Sequence, residues 1–196
     1  MSQTVILFHS ALGLRPAVGR FADRLREAGH VVHTPDLYDG RVFDSLEEGV
    51  AYRDLIGGVP ALVGRAKKAT EGLSAAAVYA GFSLGAAAAQ MLALGRPGAR
   101  GLVLMHGVIP PEYLGVKTWP GISVQIHHAE ADPWVEAAEV DGLRALVEAA
   151  GQTCAVFTYR GSAHLFADDD CPDYDRDSAE AMIDRVLGYL GRVGDR

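Results

Sequence analysis

Short apolar runs alternate with longer helix-forming segments along the whole chain, and this rhythm constrains the fold more than any single residue. The runs at Val5–Phe8, Val31–Thr34, Ala76–Ala80, Gly101–Met105, Ser123–His127 and Cys154–Tyr159 read as strands. Between them, Pro16–Ala28, Leu84–Leu94, Val135–Ala149 and Asp177–Val193 read as helices. A further helical stretch runs from a cap at Ser45, with Glu48 completing a capping box, to about Lys68, broken at "GGVP". Strands alternating with helices of this length predict βαβ units and a mostly parallel sheet. Strands that are apolar throughout fit a sheet covered on both faces. The chain of 196 residues is the size of one domain, and residues 1–196 read as a single α/β unit without repeat or linker.

Composition narrows the function classes. Hydrophobic residues make up 49% and charged residues 22%, with a net charge of -7. An acidic chain without a basic stripe argues against nucleic acid and anionic membranes as partners. No apolar run approaches the roughly 18 to 20 residues of a membrane span. "MSQTVILFHS" carries no charged leader, and Cys154 and Cys171 alone make no disulfide framework. The expectation is a cytoplasmic protein with free thiols, a monomer or homodimer.

In open parallel sheets, sites form at the carboxyl ends of the strands. One such end reads Gly81-Phe82-Ser83-Leu84-Gly85, a G-x-S-x-G pattern at the seam between a strand and an alanine-rich helix. A sharp turn there exposes the central hydroxyl, and the flanking glycines leave room where strand and helix nearly touch. The competing reading is a tight turn whose serine caps the helix. A serine nucleophile needs a base, and a nucleophile on such a turn predicts the chain order serine, acid, histidine. His164, in "YRGSAHLFADDD", lies in the loop after the last strand and is the candidate base. Glu130 and Asp132, in "HAEADPWV", are candidate acids. Asp132 is preferred because Pro133 stiffens its turn, although it could also cap the following helix. Oxyanion donors are expected at the backbone N–H groups of Leu84 and of Ala11, in "HSALG".

With these motifs in place, the chain resembles the dienelactone hydrolase family of the α/β-hydrolase superfamily. The resemblance rests on "LFHSALGLRPAV", "AGHVVHTPDLYDG", "YAGFSLGAAAAQMLA", "QIHHAEADPWV" and "YRGSAHLF", and "PDLYDG" is the most family-specific of these. It implies a single α/β-hydrolase-like domain of about six or seven strands flanked by helices, with no separate cap domain. It also implies a Ser83–His164–Asp132 triad and oxyanion amides on Ala11 and Leu84. Two positions depart from the family's namesakes: Ser83 stands where they carry cysteine, and Ser10 where they carry a glutamate that controls that thiol. The changes are mutually consistent, since a serine needs no such control.

The remaining residues are weighed against plainer roles. Ser10, Leu12, Tyr38, His106 and Trp134 are candidates for lining a pocket, with Trp119 and Phe166 as further loop aromatics. His9 reads equally as a structural histidine. His127, His128 and Glu130 lack a compact ligand set for zinc, and "ADDDCPDYD" lacks the glycine and terminal glutamate of a calcium loop, so no metal is expected. Arg53 and Arg160 are weak candidates for binding a carboxylate. The function expected is cleavage of a small ester, lactone or thioester through an acyl-enzyme, without a cofactor. The alternative is a non-catalytic α/β-hydrolase-like protein that binds small molecules.

Overall fold

Strands buried on both faces must be apolar on both sides, and every residue of "VYAGF" (Val78–Phe82) and "GLVLM" (Gly101–Met105) is buried. These are the third and fourth strands of a single six-stranded sheet in the computed structural model, which describes residues 1–193. The strands are β1 (Thr4–Phe8), β2 (Val31–His33), β3 (Val78–Phe82), β4 (Gly101–Met105), β5 (Ser123–Ala129) and β6 (Cys154–Tyr159). They lie in the order β2-β1-β3-β4-β5-β6, with every neighbouring pair parallel. The helices are α1 (Pro16–Glu27), α2 (Leu46–Leu55), α3 (Gly58–Ala69), α4 (Leu84–Gly95), α5 (Ala137–Ala149) and α6 (Arg176–Val193).

One face of the sheet is covered by α3, α4 and α5, through residues such as Leu62, Ala88, Leu92, Leu143 and Val147. The other is covered by α1 and α6, through Val18, Phe21, Leu25, Met182, Val186 and Leu190. The two layers are the mostly parallel, doubly covered sheet that the apolar strands require. After β2 the chain crosses back over β1 to form β3, so the strand order reverses between β1 and β3. The crevice for a ligand therefore opens beyond Phe8 and Phe82. Among the described residues, no helix is long and apolar enough to cross a membrane. Cys154 and Cys171 are both free.

Several element boundaries differ from the sequence reading. β3 begins at Val78, not Ala76, because Ala77 turns back on Ala75 (N–H to O, 2.8 Å) and Val78 is the residue that registers with Val5 and Gly101. The strand thus runs up to the residue before Ser83. The break expected at "GGVP" is present: α2, capped by the Ser45 hydroxyl on the Glu48 amide, ends before it, and α3 is entered through Gly57 and Gly58, both at positive φ. α5 begins at Ala137, with the extended Glu136 as its first boundary residue, so Asp132 lies well outside the helix and does not cap it.

Two expectations follow. Leu92 is fully buried between α4 and the sheet. Leu92→Ala should lower unfolding stability by about 2 to 5 kcal/mol, read from urea denaturation. His127 is buried on β5 beside Tyr159, and burial lowers its pKa from 6.5 to about 3. Below pH 6.5 the unfolded chain therefore binds the extra proton, so this contribution is fully present above that value and shrinks as pH falls. Acidification from pH 7 to pH 5 should cost roughly 2 kcal/mol through this group. His127→Asn should narrow the gap between urea midpoints at the two pH values; an unchanged gap would contradict the assignment.

Candidate active site

The turn between β3 and α4 is set by how closely backbone approaches backbone. A Cβ on Gly85 would lie 2.4 Å from the His9 carbonyl oxygen and 2.5 Å from that of Phe8. One on Gly81 would lie 2.1 Å from the Gly85 carbonyl oxygen. Both glycines of G-x-S-x-G are thus steric necessities of packing α4 onto the ends of β1 and β3. Ser83 sits between them at φ 50°, ψ -113°, a strained conformation for a residue with a side chain. Its amide donates to the Met105 carbonyl (2.7 Å), and its carbonyl accepts from Ala86 (2.8 Å). The backbone is held by these bonds, and its hydroxyl is left facing the crevice.

Ser83 Oγ lies 2.8 Å from His164 Nε2, and His164 Nδ1 lies 2.8 Å and 2.9 Å from the two carboxylate oxygens of Asp132. A carboxylate only accepts, so Nδ1 carries the proton and Nε2 offers its lone pair to the serine hydroxyl. The structure thus brings together the three side chains expected from chain order. Asp132 is buried and its Oδ1 also accepts from the Trp134 amide (2.9 Å), while Glu130 is exposed. The loops that carry acid and base are tied to each other. Glu130 N–H donates to Tyr159 (2.7 Å) and Ala131 N–H to Gly161 (2.9 Å), where φ is 101°.

Leu84 is the first residue of α4, so its N–H is among the helix amides without an intrahelical partner. Ala11 lines the same cavity and its loop is pinned. His9 Nδ1 donates to the Ser10 carbonyl (2.7 Å), and His9 Nε2 accepts from the Leu37 amide (2.9 Å). Burial lowers the His9 pKa, which keeps the ring neutral, as the acceptor role of Nε2 requires. Ser10 Oγ accepts from Leu12 (3.1 Å). From outside, Gly49 of α2 presses on the loop: a Cβ there would lie 2.0 Å from the Ala11 carbonyl oxygen.

These groups open onto a cavity of about 820 Å³. His106 and Trp134, expected in its wall, are there. The Trp134 ring lies 5.7 Å from that of His164 at the rim. His106 is buried at φ 64°, packed edge-on against Phe166, and both of its ring nitrogens lack a partner among the described residues. Burial, helped by the neighbouring histidines, pushes its pKa well below the usual value, so it stays neutral.

The other lining candidates sit elsewhere. Tyr38 is in the core, ringed by His9, Phe43 and Tyr52, with its hydroxyl donating to the Gly49 carbonyl. Ser10 faces a separate small space near Asp168, and Leu12 a surface hollow near Cys171. Trp119 is buried and donates to Ile122, and Phe166 is buried. Arg53 is in the wall and paired with Asp54; Arg160 is exposed and outside it.

Sequence reasoning missed most of the wall: Leu46 and Val50 of α2, Val59 and Val63 of α3, Met91 of α4, and Ile109 beyond β4. His127 pairs with Tyr159 and His128 with Ala129, so their rings are engaged in the fold. The carboxylates of Asp168, Asp169 and Asp170 come within reach of one another, and Arg20 pairs with the last two.

The close packing of α4 on β1 can be tested directly. Gly85→Ala must push α4 away from β1 and should cost about 1 to 3 kcal/mol. Gly95→Ala, at the far end of the same helix with nothing within 4 Å of a new Cβ, should be neutral or slightly stabilising in thermal unfolding. Equal effects would contradict it.

Comparison with known proteins places the chain in a family. The chain matches the dienelactone hydrolase family over residues 1–194. No curated protein matches it by sequence. Among solved structures, it is similar to a dienelactone hydrolase-like promiscuous phosphotriesterase from metagenomic libraries, with a TM-score of 0.82 and 22% identity, covering 97% of this chain and 86% of that one. It is also similar to an esterase of Pyrobaculum calidifontis, with a TM-score of 0.66 and 15% identity, covering 99% of this chain and 77% of that one. The match along nearly its whole length shows that the chain belongs to the dienelactone hydrolase family, and so to the hydrolases that act on ester bonds.

Proposed function

We propose that the chain is a serine hydrolase that cleaves small esters, lactones or thioesters through an acyl-enzyme on Ser83. The observation that carries this reading is the continuous relay from Ser83 Oγ through His164 to buried Asp132, at the mouth of a large cavity. As Oγ attacks the substrate carbonyl carbon, His164 Nε2 takes its proton. Asp132 holds the Nδ1–H tautomer and stabilises the imidazolium that forms. The tetrahedral oxyanion is held by the amides of Leu84 and Ala11, and the positive end of α4 adds to the attraction. On collapse, His164 gives its proton to the leaving oxygen or sulfur. A water then takes the leaving group's place and attacks the acyl carbon as His164 accepts its proton; the bond to Ser83 Oγ breaks, Oγ takes that proton back, and the carboxylic acid leaves. The reaction needs no group beyond these residues and water.

A non-catalytic binding protein would have no need of a strained serine in a completed relay, so the hydrolase reading accounts for more of the geometry. Ser83→Ala should lower turnover of p-nitrophenyl acetate by about 10⁴-fold or more while leaving the fold intact. Asp132→Asn keeps the shape but favours the wrong imidazole tautomer, and should lose about 10⁴-fold in kcat. Turnover retained by Ser83→Ala, with a normal circular dichroism spectrum, would overturn the assignment.

A further inference from the structure

The direction of the cavity says what kind of acyl group fits it. In a parallel sheet, α3 leads into β3 and α4 leads out of it, so both helices run away from the carboxyl ends of the strands. They pack against each other, and the cavity wall between them is built from one face of each. On α4 that face is Leu84, Ala87 and Met91; on α3 it is Val59, Val63 and Lys67. At the rise of an α-helix, the α4 side is about 10 Å deep and the α3 side about 12 Å.

Ala87 is what keeps the passage open. Its neighbours Ala86, Ala88 and Ala89 are buried against the sheet, whereas Ala87 is only partly covered and faces the cavity. The third wall is the strand-end loop after β4, with Val108 and Ile109. It is fixed by the Gln90 side chain, whose amide donates to the Ile109 carbonyl (3.0 Å) and accepts from the Ile109 amide (2.8 Å). Among the described residues, no carboxylate lines the cavity. Arg53 is paired with Asp54, and Lys67 is exposed at the far end. The leaving group must lie beside His164, at the rim with Trp134. That leaves the α3–α4 passage for the acyl part.

We propose that the passage between α3 and α4 is an acyl-chain groove, and that the substrates are esters of medium-length, unbranched apolar acids. The chain runs from the Ser83 carbonyl position past Ala87 and Val63 to Met91. This rests on the serine hydrolase reading, and specifies its substrate class. Each methylene that leaves water for an apolar wall favours binding by roughly fourfold.

The test is kcat/KM for p-nitrophenyl acetate, octanoate and laurate with the wild type, Ala87→Leu and Met91→Ala. The wild type should favour octanoate over acetate by at least tenfold. Ala87→Leu, a change between two good helix formers, should cut that ratio tenfold or more. Met91→Ala, which lengthens the groove at its far end, should move the preference toward laurate. A wild type that hydrolyses acetate at least as well as octanoate would overturn the groove and leave the hydrolase standing, as would variants whose ratios match the wild type. Turnover of no ester by folded wild type would remove the hydrolase reading, and the groove with it.

Discussion

The first turn of α4 lies against the carbonyl groups of Phe8 and His9 so closely that a single methyl group at residue 85 would separate them. Much else depends on that contact. It puts the end of β3 and the start of α4 in a bend that a positive φ at Ser83 completes. It sets the Leu84 amide, at the helix start, beside the loop that carries Ala11. The proposed nucleophile and oxyanion donors are thus brought together by backbone packing, before any side chain contributes. The strain at Ser83 is offset by the packing of Ala86, Ala88, Ala89 and Leu92 beneath it.

The acid and base depend on a second contact of the same kind. The loops after β5 and β6 are joined by the Glu130–Tyr159 and Ala131–Gly161 main-chain hydrogen bonds. These fix Asp132 and His164 relative to each other, and the strand order of the sheet fixes both relative to Ser83. The loop that carries Ala11 is likewise clamped from two sides, by neutral His9 within and by Gly49 of α2 without. The site is therefore assembled where these three loops meet the β3–α4 turn, the first held by a side chain and a close backbone contact and the other two by main-chain bonds to each other.

How much of this could be read from sequence follows from what each residue's position depends on. The strand rhythm and the glycines around Ser83 report local sterics, which are written in the chain, so the turn and its helix were legible. His164 was legible because only one histidine after Ser83 follows the last strand. Asp132 and Glu130 differ by two positions in one loop, and only the fold shows which one turns inward to the imidazole. Tyr38 was misplaced because an aromatic in a polar loop gives no sign of its direction; here His9, Phe43 and Tyr52 close around it. The cavity walls of α2 and α3 were not legible either. α2 buries only Gly49 among its ten residues, so its pattern does not reveal which side faces the cleft.

We propose that this packing makes Ser83 an activated nucleophile. The most direct measurement is intact-protein mass after exposure to a fluorophosphonate, for the wild type and for Ser83→Ala. A single phosphonyl adduct should form on the wild type and none on the variant. A folded wild type that takes no adduct, or a variant that takes the same one, would contradict it.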